Sequence, residues 1–80
     1  MEELIGFVNG SVNRRKILEI LESKGATEPQ RVAKIARLIP AATDSILKDL
    51  EENGLVQKTE DGKIELTADG KTVIGYTRTI

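Results

Sequence analysis

Apolar residues recur at helical spacing in three stretches of the chain. Ile17, Leu18, Ile20 and Leu21 form one stripe; Val32, Ile35, Ala36 and Ile39 form a second; Ile46, Leu47 and Leu50 form a third. The first stretch follows the turn residues Asn9-Gly10-Ser11, with Ser11 or Asn13 as its cap, and runs to about Lys24. Arg15, Glu19 and Glu22 fall on its watery side, and Arg14 lies at the edge of the stripe. Gly25 stops it, because glycine accepts the conformation that follows a helix. Thr27-Glu28-Pro29-Gln30 fits a capping box in front of the second helix. Pro40 forces the chain out of the α region near Arg37 or Leu38 and can itself open the third helix. That helix extends to about Asn53 and ends at Gly54.

Beyond Gly54 the period drops from 3.6 to 2. Residues 55–59 and 63–67 alternate as short strands around Glu60-Asp61-Gly62. A two-residue Asp61-Gly62 turn would set Thr59 opposite Ile64, Gln57 opposite Leu66, and Lys58 opposite Glu65 as an ion pair. Thr67 then caps a short helix over residues 68–76, whose glycines and β-branched residues require docking through Val73, Ile74 and Tyr76. Residues 2–8 fit either an edge strand or a ragged helical turn, and Leu4, Ile5, Phe7 and Val8 can pack on the domain or on a second subunit. Tyr76 and Ile80 offer another contact for a possible homodimer. The expected fold is mainly α with a small β-hairpin: a three-helix core, a two-stranded wing and a short C-terminal helix, in one domain over residues 1–80.

Composition narrows the chemistry. The 80 residues include no cysteine and no histidine, which removes disulfides, thiolate nucleophiles, imidazole catalysis and most zinc sites. No pair of carboxylates sits beside a pocket-forming element, so an enzyme is not expected, and no cofactor or metal is implied. An apolar share of 39% with 31% charged residues matches a folded domain rather than a disordered chain. No apolar run approaches the roughly 20 residues that span a bilayer, and the absence of cysteine fits a cytoplasmic location.

Charge is balanced in sum, at 12 basic against 13 acidic residues, and uneven in place. Between Arg14 and Arg37 there are seven basic and three acidic residues; between residues 41 and 62 there are two basic and six acidic. An anionic partner therefore meets the first half more readily than the middle.

The order helix, helix, tight turn, helix, hairpin is that of a winged helix-turn-helix. Residues 46–56, Ile-Leu-Lys-Asp-Leu-Glu-Glu-Asn-Gly-Leu-Val, resemble the recognition-helix exit of winged-helix transcription regulators. Residues 61–71, Asp-Gly-Lys-Ile-Glu-Leu-Thr-Ala-Asp-Gly-Lys, resemble their wing and the turn after it. The chain is thus similar to the small regulators of MarR, ArsR and PadR type, including short archaeal ones. That resemblance implies sequence-specific duplex DNA binding in transcription regulation, usually as a homodimer. Carried onto this chain, it implies base contacts from Ala41, Ala42, Asp44, Ser45 and Lys48 in the major groove. It implies backbone contacts from Arg14, Arg15, Arg31, Lys34 and Arg37, and from Lys58 and Lys63 on the wing. The third helix departs from a strong DNA binder, with Lys48 its one base against Asp44, Asp49, Glu51 and Glu52. An alternative is an interaction module of the same fold that docks a protein partner without touching DNA.

Overall fold

The computed structural model describes residues 1–78, so the expected contact of Ile80 lies outside the described residues. The elements run α1 (Glu2–Asn9), α2 (Val12–Lys24), α3 (Pro29–Ala36), α4 (Pro40–Glu52), β1 (Val56–Lys58), β2 (Ile64–Leu66) and α5 (Ala68–Arg78). This is a winged helix-turn-helix.

The first eight-residue element is a helix, not a strand. Its apolar residues suit either period, and packing decides: Val8 is fully buried, while Leu4, Ile5 and Phe7 lie partly buried against the core. These side chains pack on the chain's own core, with Leu4, Ile5 and Phe7 left partly accessible. Glu2 and Glu3 sit in the first turn, where the helix dipole favours acids. The Ser11 side chain caps α2 by accepting the Arg14 N–H at 3.3 Å.

Ile17, Leu18 and Leu21 of α2 form the centre of the core, joined by Val32, Leu47, Leu50, Leu55, Ile64, Val73 and Ile74. Two positions of the α3 stripe face water instead. Ile35 is exposed, and Ile39 is 69% exposed, while Ala33 and Ala36 are buried. The helix stops at Ala36 because Arg37 adopts a left-handed conformation, φ 59° and ψ 43°, which turns the chain before Ile39 can continue the stripe. Ile46 is half-buried, and Thr43 takes the fully buried place in the first turns of α4.

The capping box at Thr27 does not form. Glu28 is the N-cap of α3, and the Thr27 hydroxyl donates to the Gly25 carbonyl at 2.9 Å. Thr27 is drawn into the sheet instead. Its N–H donates to the Ile64 carbonyl at 2.9 Å and its carbonyl accepts the Ile64 N–H at 2.8 Å.

The hairpin register differs from the two-residue turn by one position. Val56 pairs with Leu66, Gln57 with Glu65 and Lys58 with Ile64. The loop holds three residues, Glu60-Asp61-Gly62, closed by the Thr59 N–H donating to the Lys63 carbonyl at 2.8 Å. A type I′ turn needs positive φ at Asp61 as well as at Gly62; the longer loop asks it only of Gly62, at 82°. Lys58 and Glu65 consequently do not face each other. The Gln57 amide donates to the Glu65 carboxylate at 2.8 Å in place of that ion pair. Among the described residues, no helix is long and apolar enough to cross a membrane.

Candidate nucleic-acid interface

Helix α4 lies on the surface with one face free. Its buried side is Thr43, Leu47 and Leu50; Ala41, Asp44, Ser45 and Lys48 are exposed and Ala42 is half-buried. The spacing explains the division: positions 44, 45 and 48 are one turn apart on the side away from 43, 47 and 50. The five residues expected to face bases therefore share one accessible surface at the start and middle of α4.

Two grooves, one of them along this helix, bring distant cations together. One lies between the end of α2, the start of α3 and the wing, lined by Lys24, Thr27, Glu28, Arg31 and Lys63. It holds three basic side chains against one acid. The other lies between α4 and the hairpin, lined by Asp44, Leu47, Lys48, Glu51, Lys58 and Ile64. Its charges are matched, two against two. A shallower groove along α3 runs past Arg31 and Lys34 to Ile35. The basic side chains are therefore gathered on α3 and the wing, while α4 contributes two acids and one base to its groove and Lys58 of β1 supplies the balancing charge. Glu51 lines that groove as well.

Lys24 is the member of this basic group that sequence reasoning missed. It is the last residue of α2, where a cation complements the helix dipole. Only the return of β2 to Thr27 brings Lys63 beside it.

Arg14 goes elsewhere. Its guanidinium donates to the Phe7 carbonyl at 2.8 Å and lies 3.9 Å from the centre of the Phe7 ring, a cation–π contact that fastens α2 to α1. Arg15 is exposed and 3.9 Å from Glu19 one turn on. Neither is brought to the grooves that hold Arg31 and Lys63. Arg37 is exposed in the turn between α3 and α4. Lys16, also unassigned from the sequence, donates to the Ala36 carbonyl at 3.1 Å and so caps the end of α3.

At the wing tip, Asp61 is held below the usual aspartate range. The Thr59 hydroxyl donates to its carboxylate, and Lys63 lies 3.7 Å away. Lys63 thus has a partner on one side and opens to the Arg31 groove on the other. Among the described residues, no group of three or more acidic side chains could hold a metal ion.

No protein-family model matches the chain, and no curated protein is similar to it in sequence. Solved structures are similar in fold. A MarR-family protein of Mycobacterium tuberculosis in complex with DNA aligns over 86% of this chain and 54% of its own, with 22% identity and a TM-score of 0.78. The reduced form of MarR from E. coli aligns over 96% of this chain and 57% of its own, with 18% identity and a TM-score of 0.86. A MarR-family protein of Bacillus stearothermophilus aligns over 86% and 51%, with 21% identity and a TM-score of 0.82. The chain spans little more than half the length of these structures.

Proposed function

We propose that this chain binds duplex DNA in a sequence-specific manner and acts in transcription regulation, in the cytoplasm. The observation that carries the reading is the groove that gathers Lys24, Arg31 and Lys63 from α2, α3 and the wing, in a fold that leaves one face of α4 free. A helix can lie in a major groove about 12 Å wide while cations beside it hold the phosphates. Ala41, Ala42, Asp44, Ser45 and Lys48 face the bases in this reading. Asp44 accepts from a cytosine amino group and Ser45 serves either partner. Arg31, Lys34, Arg37, Lys24 and Lys63 hold the backbone, with Lys58 from the wing. In this reading affinity comes from α3 and the wing, and discrimination comes from α4, whose acids are partly offset by Lys48 and by Lys58 across the groove. That the M. tuberculosis structure contains DNA adds support from a protein of the same fold.

Pairing of two copies falls to the outer ends of α1 and α5, where Met1 and Tyr76 are each 52% exposed. Sedimentation with and without the bound duplex measures the stoichiometry.

Selection of genomic fragments at two salt concentrations tests the reading. Specific fragments are expected, with affinity that falls steeply as salt rises. Arg31→Ala weakens all fragments alike and lowers the salt slope by about one, whereas Lys48→Ala also shifts the preference. Background recovery at both salt levels, with a protein partner captured by the same acidic and basic surface, overturns it.

A further inference from the structure

The opening turn of α4 is chemically unlike the rest of its free face. Ile39 occupies the N-cap position, where Ser, Thr, Asp or Asn would satisfy a free N–H of the first turn. No side chain caps this helix. Ile39 is not compensated by burial either, because it is 69% exposed while its neighbour Leu38 packs against the core. Its carbonyl alone is engaged, accepting the N–H of Thr43 at 3.1 Å and the Thr43 hydroxyl at 3.2 Å. Pro40 and Ala41 are also exposed, so three consecutive residues offer no polar side-chain atom before Asp44 and Ser45. An apolar residue that serves neither cap nor core, on the face offered to DNA, is available to something outside the fold.

We propose that Ile39, with Ala41 beside it, is a specificity-determining contact for the 5-methyl group of thymine in the major groove. This inference rests on the DNA-binding reading. The occupant follows from the setting. Arg37 precedes Ile39 in the same turn, and the base-facing positions of α4 follow it, so the patch lies between a phosphate-holding cation and hydrogen-bonding side chains. The thymine methyl is the one apolar feature that a base edge presents in that groove. A branched aliphatic side chain can cover it and a polar cap would not.

The test starts with duplexes that the full chain selects from a random-sequence pool. Each thymine is then replaced singly by deoxyuridine, which deletes the methyl and leaves the hydrogen-bonding edge intact. At one or two positions, loss of the methyl is expected to weaken binding about fourfold, the effect of one buried methyl-sized group. Ile39→Ala weakens binding to the unmodified duplex by a similar factor and abolishes the response to deoxyuridine at those positions. Ile39→Ser is expected to remain folded and to behave in the same way. Uniform indifference to deoxyuridine overturns the inference, as does an unchanged response in Ile39→Ala. A change in sedimentation of Ile39→Ser with the methyl response intact assigns the patch to a second copy and also overturns it. Failure to select any duplex instead sinks the DNA-binding reading itself.

Discussion

At the start of α5, the Thr67 hydroxyl accepts the Gly70 N–H at 3.0 Å and donates to the Gly54 carbonyl at 2.6 Å. At the start of α4, Ile39 leaves the first-turn N–H groups uncapped and its own side chain in water. The two helices have similar lengths and both pack on the common core. The difference is one of purpose. The start of α5 is a joint: one hydroxyl connects the end of α4 to the start of the last helix. The start of α4 faces outward, and what it lacks in internal partners it keeps available for an external one.

The comparison breaks most visibly at Gly70. A Cβ there would lie 2.1 Å from the Leu55 carbonyl oxygen, backbone that cannot move without the strand after it. Gly70→Ala is expected to destabilise the fold by about 3 kcal/mol, lowering Tm on the order of 15 °C in thermal denaturation. Thr67→Val, which keeps the shape and deletes the hydroxyl, should cost about 1.5 kcal/mol, with Thr67→Ser restoring most of it. At α4 the sign reverses: Ile39→Ser adds a cap and removes no packing, so urea denaturation should show a gain of about 1 kcal/mol. A loss at this position would show that Ile39 supports the fold after all. Arg37→Gly relieves the left-handed backbone at φ 59° but loosens the unfolded chain, leaving a net gain of about 0.5 kcal/mol.

The smallest effect belongs to the wing tip, where the Thr59 hydroxyl donates to Asp61 and accepts the Lys63 N–H. The Asp61 carboxyl titrates below its unfolded value, so its contribution is present above that value and is lost as pH falls through the folded one. Asp61→Asn should remove this acid dependence from the denaturation midpoint and leave stability near neutral pH almost unchanged.

Much of the fold is legible in the sequence because glycine, proline and apolar spacing act locally. Gly25, Gly54 and Gly62 have positive φ where the chain has to turn, and Pro29 and Pro40 open their helices. The discrepancies arise where a distant segment decides. Thr27 has the local pattern of a cap and is claimed by Ile64, far along the chain. Leu4 to Val8 become helical through burial against other elements that no local pattern reveals. The hairpin slips by one residue because Asp61 finds a hydrogen-bond partner in Thr59 without entering positive φ. For the candidate interface, the α4 residues that the resemblance implies lie on the accessible side that helical spacing leaves free. The basic groove cannot, since Lys24, Arg31 and Lys63 come from three elements and meet only in the folded chain. Arg14 illustrates the converse: its charge suggests a phosphate, and the fold also gives it a local partner in Phe7.

The paired hydrogen bonds between Thr27 and Ile64 bear on the timing of recognition. They anchor β2 directly to the residue that leads into α3, so the base of the wing is tied to the helix pair by backbone hydrogen bonds. The offset between Lys63 and the α4 face is fixed when the chain folds, not when a ligand arrives. For the proposed binding, this leaves little of the wing's base to be ordered on contact, and the conformational entropy lost there is correspondingly small. A wing hung from its hairpin alone would have to find its phase with the helix each time it met a partner; here that phase is inherited from the core.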